Sequence, residues 1–496
     1  MSNLSELLPA GGGGKQVDFV ASGTLPNGKA VVLKSNGQVE VVAQTTISES
    51  IPAAGEQTFN STGETGYIHV KFDPNNSSKF VVVYRDNDNS GRGALCVGTV
   101  TNTSISFGTE VIFNNGSTFH MGLSFDPNTS NSFVISYVDG GNSNHGTAVV
   151  CSLSGTTASI GSEVVFSSDG TAGTGVAFVP STANKFVIVY KDTGNGNKGR
   201  SVTGTVSGTN CSFTAEVTFY NGTVYVPKLS FDTNTADSFV VVFGKDSVTK
   251  MTAMVGNSSG TSCTFGSSHV INSGSYSADS QDVVFNPKAA GQCVIVYAPG
   301  PQAGHGTVVL GTVSSSSISF TSPVVFNAAT CLQFGIDIDP STGKVAISYR
   351  DSGASNRGKV IIGTINGVNI SFGSEFEFES EVVAYNSLSF DPANGGKFVM
   401  VYADGSSQLG TARLGQVGAT VTNLTATNFI GITDAAISSG ATGSVTVKGG
   451  VSTNLSSLAI GSTYYVQPAG TLATSASSPS VEAGKAISAT SLILKG

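Results

Sequence analysis

An apolar strand ending in Phe-Asp-Pro or a close variant, a polar turn and a β-branched strand ending in an aromatic residue recur seven times along the chain. The residues that end the first of these strands are Phe72, Phe125, Phe178, Phe231, Phe285, Ile338 and Phe390, with separations of 53, 53, 53, 54, 53 and 52 residues. A constant period in this range marks a solenoid, propeller or array, and a blade of four short strands needs about this length.

Each unit reads as four strands, a to d. Strand a ends at the repeated Phe, and in the following Asp-Pro turn Pro sets φ while Asp bonds nearby backbone. Strand b, Phe80 to Tyr84 in the first unit, is apolar on both faces, as a strand enclosed between neighbouring sheets must be. Strand c is a Gly-led run such as Gly93 to Val100 or Gly358 to Ile365. Strand d runs from Ile105 to Phe113 and from Ile370 to Phe378, where Glu375 and Glu377 alternate with Phe376 and Phe378. Such alternation fits an outer strand with one wet face.

The seventh unit has no strand d after its strand c, Gly410 to Val417. Ahead of the first unit, Gly55-Glu56-Gln57-Thr58-Phe59-Asn60 matches the strand d segment Gly108 to Asn114, with no strands a to c before it. An N-terminal strand that completes the last blade closes a ring and leaves no open edge. The expected fold is therefore all-β: a seven-bladed β-propeller of four-stranded blades over residues 46–418, closed by an N-terminal strand. A leader and small β-hairpin occupy 1–45, with Asn36-Gly37 read as a type I′ turn. A separate C-terminal β-module occupies 419–496.

Only 11% of residues are charged, against roughly 25% in ordinary soluble domains, so Ser, Thr, Asn and the 62 glycines must supply the polar surface. The net charge of -8 argues against general binding to nucleic acid or anionic membranes, which needs a basic surface. No apolar run approaches a membrane span, and Met1 to Gly14 lacks the basic start and apolar run of a signal peptide, so synthesis in a host cytoplasm is expected. The cysteines, at 96, 151, 211, 263, 293 and 331, are too dispersed for a zinc site and read as free buried thiols.

The tail segments Phe429-Ile430-Gly431-Ile432, Ala441-Thr442-Gly443, Gly461 to Val466 and Ala483-Gly484-Lys485-Ala486 resemble a C-terminal module of virion proteins from marine tailed bacteriophages. Met1 to Pro9 followed by Gly11 to Gly14 is similar to leaders in the same group. The resemblance covers about a fifth of the chain and implies a virion structural protein of the tail or its fibres, without catalytic residues to carry over. It also implies attachment to other virion proteins through the terminal segments, location in the virion, and a homo-oligomeric assembly.

The long polar b-to-c loops offer a candidate ligand face. Arg85, Asp86, Asp88, Asp139, His145, Asp192, Arg350 and Asp351 are the side chains there suited to hydrogen-bonding glycan hydroxyls of a host surface. The competing explanation is that hairpin turns require Asp, Asn, Ser and Gly for backbone reasons alone. Asp86, Asp88 and Ser90 before Gly91 also resemble the start of a calcium loop, but the acidic residue that would end it is missing. No metal site is expected, and no cofactor. For glycoside hydrolysis, which needs two facing carboxylates, Glu379, Glu381, Asp279 and Asp282 are the candidates. His120 and Tyr67, at the start of strand a, belong at the channel mouth. The functional expectation is a non-enzymatic tail component whose propeller contacts host glycans. The alternatives are a carbohydrate-active hydrolase and a capsid-associated decoration protein.

Overall fold

The structure, a computed structural model, describes residues 15–496 except 77, 247–249, 275, 301–303 and 406–407, and the side chains of 276–279. The leader residues 1–14, the shorter of the two segments that carry the phage resemblance, and the side chain of Asp279 lie outside the described residues. The described chain is all-β, with only short 3-10 turns between strands. It divides into two compact units, residues 49–417 and a second unit that joins 1–48 to 418–496.

In the larger unit each repeat forms an antiparallel meander. In the first, Thr65–Phe72 pairs with Lys79–Asp86, which pairs with Arg92–Thr101, and Ser104–Phe107 follows as a hairpin partner. The b strands are the most deeply buried elements: Phe80 through Tyr84 are all enclosed, because both faces of each sheet are covered by neighbouring repeats.

One feature departs from the sequence expectation. Strand d and the next strand a are commonly one strand rather than two joined by a loop. Val111–Phe125 pairs through its first half with Arg92–Thr101 of its own repeat and through its second half with Ser132–Asp139 of the next. Asn369–Phe390 does the same, so Glu379 and Glu381 stand within a strand.

The orphan segment Glu56–Asn60 pairs with Leu409–Gln416, matching Gly410 to Asn60 and Arg413 to Glu56, with the Arg413 guanidinium 2.5 Å from the Glu56 carboxylate. Its register copies that of the first repeat, where Gly93 faces Asn114. Side chains of the first repeat (Ile68, Val70, Phe80) share one core with Val399, Val401 and Leu414 of the seventh. The Phe72 amide donates to Ser389 Oγ (3.3 Å) as the Phe178 amide donates to Ser124 Oγ (3.1 Å), so the first repeat bonds the seventh as the third bonds the second.

The Asp-Pro turns also join repeats. Asp126 Oδ1 accepts from the Asn128 amide within its own turn, while Oδ2 accepts from the Asn184 amide of the next repeat at 2.7 Å. Asp232 bonds Asn234 and Gly291 in the same way. A buried carboxylate is tolerated there because charge-assisted bonds to backbone amides replace its hydration.

In the smaller unit the expected separation of hairpin and tail module is corrected. Gln16–Val20 pairs with Thr442–Val447, and Ala30–Leu33 with Phe429–Thr433, in one five-stranded sheet. An isolated hairpin is marginal in water, and here the C-terminal strands give its edge hydrogen-bond partners. The turn at 35–37 is also not type I′: of its residues only Gly37 has a positive φ, 83°, and the loop spans three residues between Lys34 and Gln38. That is the form in which a left-handed Gly closes a three-residue hairpin loop. Tyr464, Val466, Leu492 and Leu494 pack with Val32, Phe429 and Ile432 in this unit's own core, which leaves Ile493 as the exposed member of those two strands. All six cysteines are buried and unpaired, and no described helix is long and apolar enough to cross a membrane.

Candidate functional site

The a-to-b pairing breaks register at the same place in every repeat, between Gly66 and His69, Phe119 and Gly122, Ala172 and Thr174, and at the equivalent points of the other four. In six repeats the break is a β-bulge, which frees one residue from the ladder and re-aims the side chains beside it, and in the fifth the gap between Tyr276 and Gln281 is longer. At these bulges Tyr67, His120, Val226, Gln333 and Tyr385 have φ between 40° and 57°, and Gly173 has 61°. Left-handed backbone is uncommon for residues with a Cβ and is an outlier for β-branched valine. Strain of about 1–3 kcal/mol at each such residue persists only where surroundings enforce it.

Bonds between repeats do so. Thr174 Oγ1 donates to the His120 carbonyl (2.6 Å), Gln281 Nε2 to the Val226 carbonyl (2.8 Å), and the Tyr385 amide to Gln333 Oε1 (3.0 Å). Tyr67 packs edge-on against His120, with centroids 5.1 Å apart, and lies 5.5 Å from Tyr385.

These residues rim a cavity of about 310 Å³, and a second of about 400 Å³ continues along the same strands to the Asp-Pro turns. Alignment of the repeats explains the chemistry of the walls. At the position three before the repeated Phe stand His69, Gly122, Gly175, Lys228, Asp282, Gly335 and Ser387, and Lys71 and Asp337 stand two residues later in their repeats. Three ionisable groups, His69, Lys228 and Asp282, thus line both cavities at a level where other repeats are small. Burial pushes the His69 imidazole well below its ordinary 6.5, and the positive charges of Lys228 and Lys71 and the neighbouring His120 add to the shift. Burial raises the Asp282 carboxyl, against the pull of Lys228 and Lys71. Asp337 is satisfied by the amides of Ile338 and Phe390, both at 2.9 Å.

Two wall residues are polar, enclosed and incompletely bonded. Asn386 is 8% exposed and neither its Oδ1 nor its Nδ2 has a hydrogen-bond partner in the protein; Gln281 is 3% exposed and its Oε1 has none. Buried polar atoms of this kind are rare because each costs about 1–3 kcal/mol. Both residues line the 310 Å³ cavity.

The loop residues expected to bind ligand are placed otherwise. Asp86, Asp139, Asp192 and Asp351 are buried at the ends of b strands. Asp139 accepts from the Gly141 amide, Asp192 from the Asn195 amide and from Arg200, and Asp351 from the amides of Gly353 and Ala354. The carboxylates of Asp139, Asp192 and Asp351 shape their turns, and Asp86 is buried with its Oδ1 unpartnered in the protein, so the expected exposed ring of acids is corrected to buried residues. Asp88 is exposed and His145 half-buried. Arg85 lies over the Phe119 ring, 4.3 Å from its centroid, and Arg350 lines a cavity with Gln333 and Tyr385, which brings these two beside the bulge ring. Of the hydrolase candidates, Glu379 accepts from the Tyr402 hydroxyl (3.3 Å) and from the Glu381 amide (3.0 Å), a structural use. Among the described residues no three His, Cys, Asp or Glu side chains assemble as a metal site. Sequence reasoning placed His120 and Tyr67 at the channel mouth but missed Lys228, Gln333, Tyr385 and Asn386. Aligning all seven repeats at the position of His69 exposes the Lys228 and Asp282 signal.

No protein-family model matches this chain, and no curated protein does. Among solved structures, Sqt1 from Chaetomium thermophilum bound to the N-terminus of the ribosomal protein L10 is similar with a TM-score of 0.46 at 10% identity, over 72% of this chain and 86% of that one. Sqt1 alone from the same organism gives 0.44 at 10% identity, over 73% and 88%. These matches are not virion proteins. The expectations of a phage tail component, of virion partners and of a host-glycan ligand find no support in any comparison and are withdrawn.

Proposed function

We propose that the larger unit is a seven-bladed β-propeller closed by Glu56–Asn60, and that it is a non-catalytic binding scaffold whose ligand enters the cavity at the bulge ring. Closure is supported by the register of Gly410 with Asn60, by the core shared between first and seventh repeats, and by a cavity whose walls come from the equivalent strand of every repeat. The observation that carries the binding role is Asn386, enclosed in the cavity wall with both ends of its amide unpartnered in the protein. Strained bulges support it, because residues held in sparse backbone regions cluster at ligand sites. A cavity of about 310 Å³ falls at the small end of the range for small-molecule pockets.

The absence of a catalytic role rests on how the candidate groups are used. Glu379, Asp139, Asp192 and Asp351 hold strands and turns, and of the cavity acids Asp337 is bonded to the amides of Ile338 and Phe390, which leaves Asp282 without a free second carboxylate. The test is a thermal-shift screen of the full chain against a library of small polar molecules, repeated on Asn386→Leu. A hit that stabilises the native protein, loses its effect in the variant and is recovered chemically unchanged supports the reading. Hits indifferent to Asn386→Leu and to Tyr67→Ala, or conversion of the ligand, would overturn it.

A further inference from the structure

We infer that the bulge-ring cavity takes a small zwitterion carrying both an ammonium and a carboxylate group, of the free amino acid type. The inference rests on the binding reading just given and adds the chemistry of the ligand.

Its basis is the pair Lys228 and Asp282. They hold the same register position in consecutive repeats, and both line the cavity. The ion pairs found among the described residues do not join them. A cavity wall with one fixed cation and one fixed anion discriminates strongly. A ligand that is only anionic would face Asp282, and one that is only cationic would face Lys228. Either would leave a desolvated charge uncompensated, the costly outcome for a buried ion. A zwitterion satisfies both.

The unpartnered atoms divide in the same way. Gln281 Oε1, on the residue before Asp282, is an acceptor suited to an ammonium group. Asn386 offers one donor group and one acceptor to the same space, so Nδ2 can serve a carboxylate beside Lys228 while Oδ1 serves the ammonium. The wall imidazole of His69 is held toward its neutral form and leaves the Lys228–Asp282 balance unchanged. Tyr67, Tyr385 and His120 at the rim supply aromatic surface against which a ligand side chain can pack.

The experiment is calorimetric titration of the full chain with the free L-amino acids. Each binder is then compared with its N-acetyl derivative and its carboxamide, and a dicarboxylate, a diamine and a neutral polyol serve as probes of other classes. At least one amino acid is expected to bind, and blocking either end should weaken it about tenfold or more, since each end loses a charge-assisted contact. In Lys228→Met the preference for carboxylate over carboxamide should vanish while the preference for free amine over N-acetyl remains. Asp282→Asn should show the reverse. These are ratios measured within one folded variant, so a general loss of stability does not imitate them, and Asn386→Asp provides a further variant in which the ammonium end alone should gain. If no free amino acid binds, or if blocking both ends leaves affinity unchanged, the zwitterion inference is overturned. Binding of a dicarboxylate, diamine or polyol that is lost in Asn386→Leu would remove the inference and leave the binding site standing. Silence of every class would remove both.

Discussion

Phe59 covers Gly410 so closely that a Cβ added to Gly410 would stand 2.4 Å from the ring's Cε2. The same contact joins Gly93 to Phe113 and Gly358 to Phe378 within their repeats, at 2.5 and 2.4 Å. A strand from the start of the sequence therefore repeats, on the last repeat, the packing that strand d makes elsewhere.

The first prediction uses that contact. Gly410→Ala should destabilise the protein by about 1–3 kcal/mol through overpacking. Phe59→Ala, which removes a ring packed on Tyr84 and Phe107, should cost about 3 kcal/mol. In the double variant the clash has no partner, so the two losses should be less than additive in a chemical-denaturation cycle. Strict additivity would show that the strand does not occupy this place.

A second contact is internal to the repeats. Tyr349 donates its buried hydroxyl to Glu375, and Tyr84 to Glu110 and Tyr190 to Glu216 do the same, always 26 residues apart. Tyr349→Phe should lower stability by about 1.5–3 kcal/mol, the value of a hydrogen bond to a charged group. The fourth repeat has Phe243, and His269 stands where the acid would be. Phe243→Tyr alone should therefore bring no gain, whereas Phe243→Tyr with His269→Glu should show favourable coupling in a double-mutant cycle.

Most of the architecture is legible because each repeat states the same pattern again, so phase errors in one copy are corrected by the other six. Continuity of strands d and a is not, since the alternation of Glu375, Glu377 and Glu379 runs on through the crossing without a turn residue to mark it. The pairing of Ala30–Leu33 with Phe429–Thr433 leaves no local trace, because partners about 400 residues apart share no pattern. In the site, Asp139, Asp192 and Asp351 carry the composition of an exposed loop, and only their bonds to amides reveal the turn role. The bulge ring is hidden for another reason: Tyr67, His120, Val226, Gln333 and Tyr385 share no side-chain type, and glycine, the usual sign of positive φ, stands only at 173.

His69 gives a pH dependence with a defined sign. Its folded-state pKa lies below the ordinary 6.5, so between those two values the unfolded chain binds more protons and stability rises with pH. Acidification from neutrality through 6.5 should therefore destabilise the protein, by at most about 1.4 kcal/mol for each unit separating the two pKa values. Asp282 acts in the opposite sense, since a raised carboxyl pKa contributes stability that is lost as pH rises through the folded value. From neutrality to just below pH 6.5, acidification should lower the denaturation midpoint less in His69→Gln than in the native chain. An unchanged profile would mean that the imidazole keeps its proton in the folded protein.

The last prediction concerns strain at the ring. Val226 has a φ of 40°, a β-branched residue in a region that glycine enters at little steric cost. Gly173, its counterpart in the preceding repeat, has 61°, and a Cβ there would meet the Val226 Cα at 3.1 Å. Val226→Gly removes strain of about 1–3 kcal/mol and adds unfolded-state entropy of roughly 0.5–1 kcal/mol. The net effect should be neutral to stabilising, although a valine side chain is lost. Gly173→Val should destabilise by about 1–3 kcal/mol, because it adds both strain and close contact. If strain at the bulges is retained for the site, Val226→Gly should also loosen the Gln281 Nε2 bond to the residue 226 carbonyl and weaken ligand binding while stability holds. A Val226→Gly protein that melts well below the native chain would show that packing of the valine, rather than its backbone, governs this position.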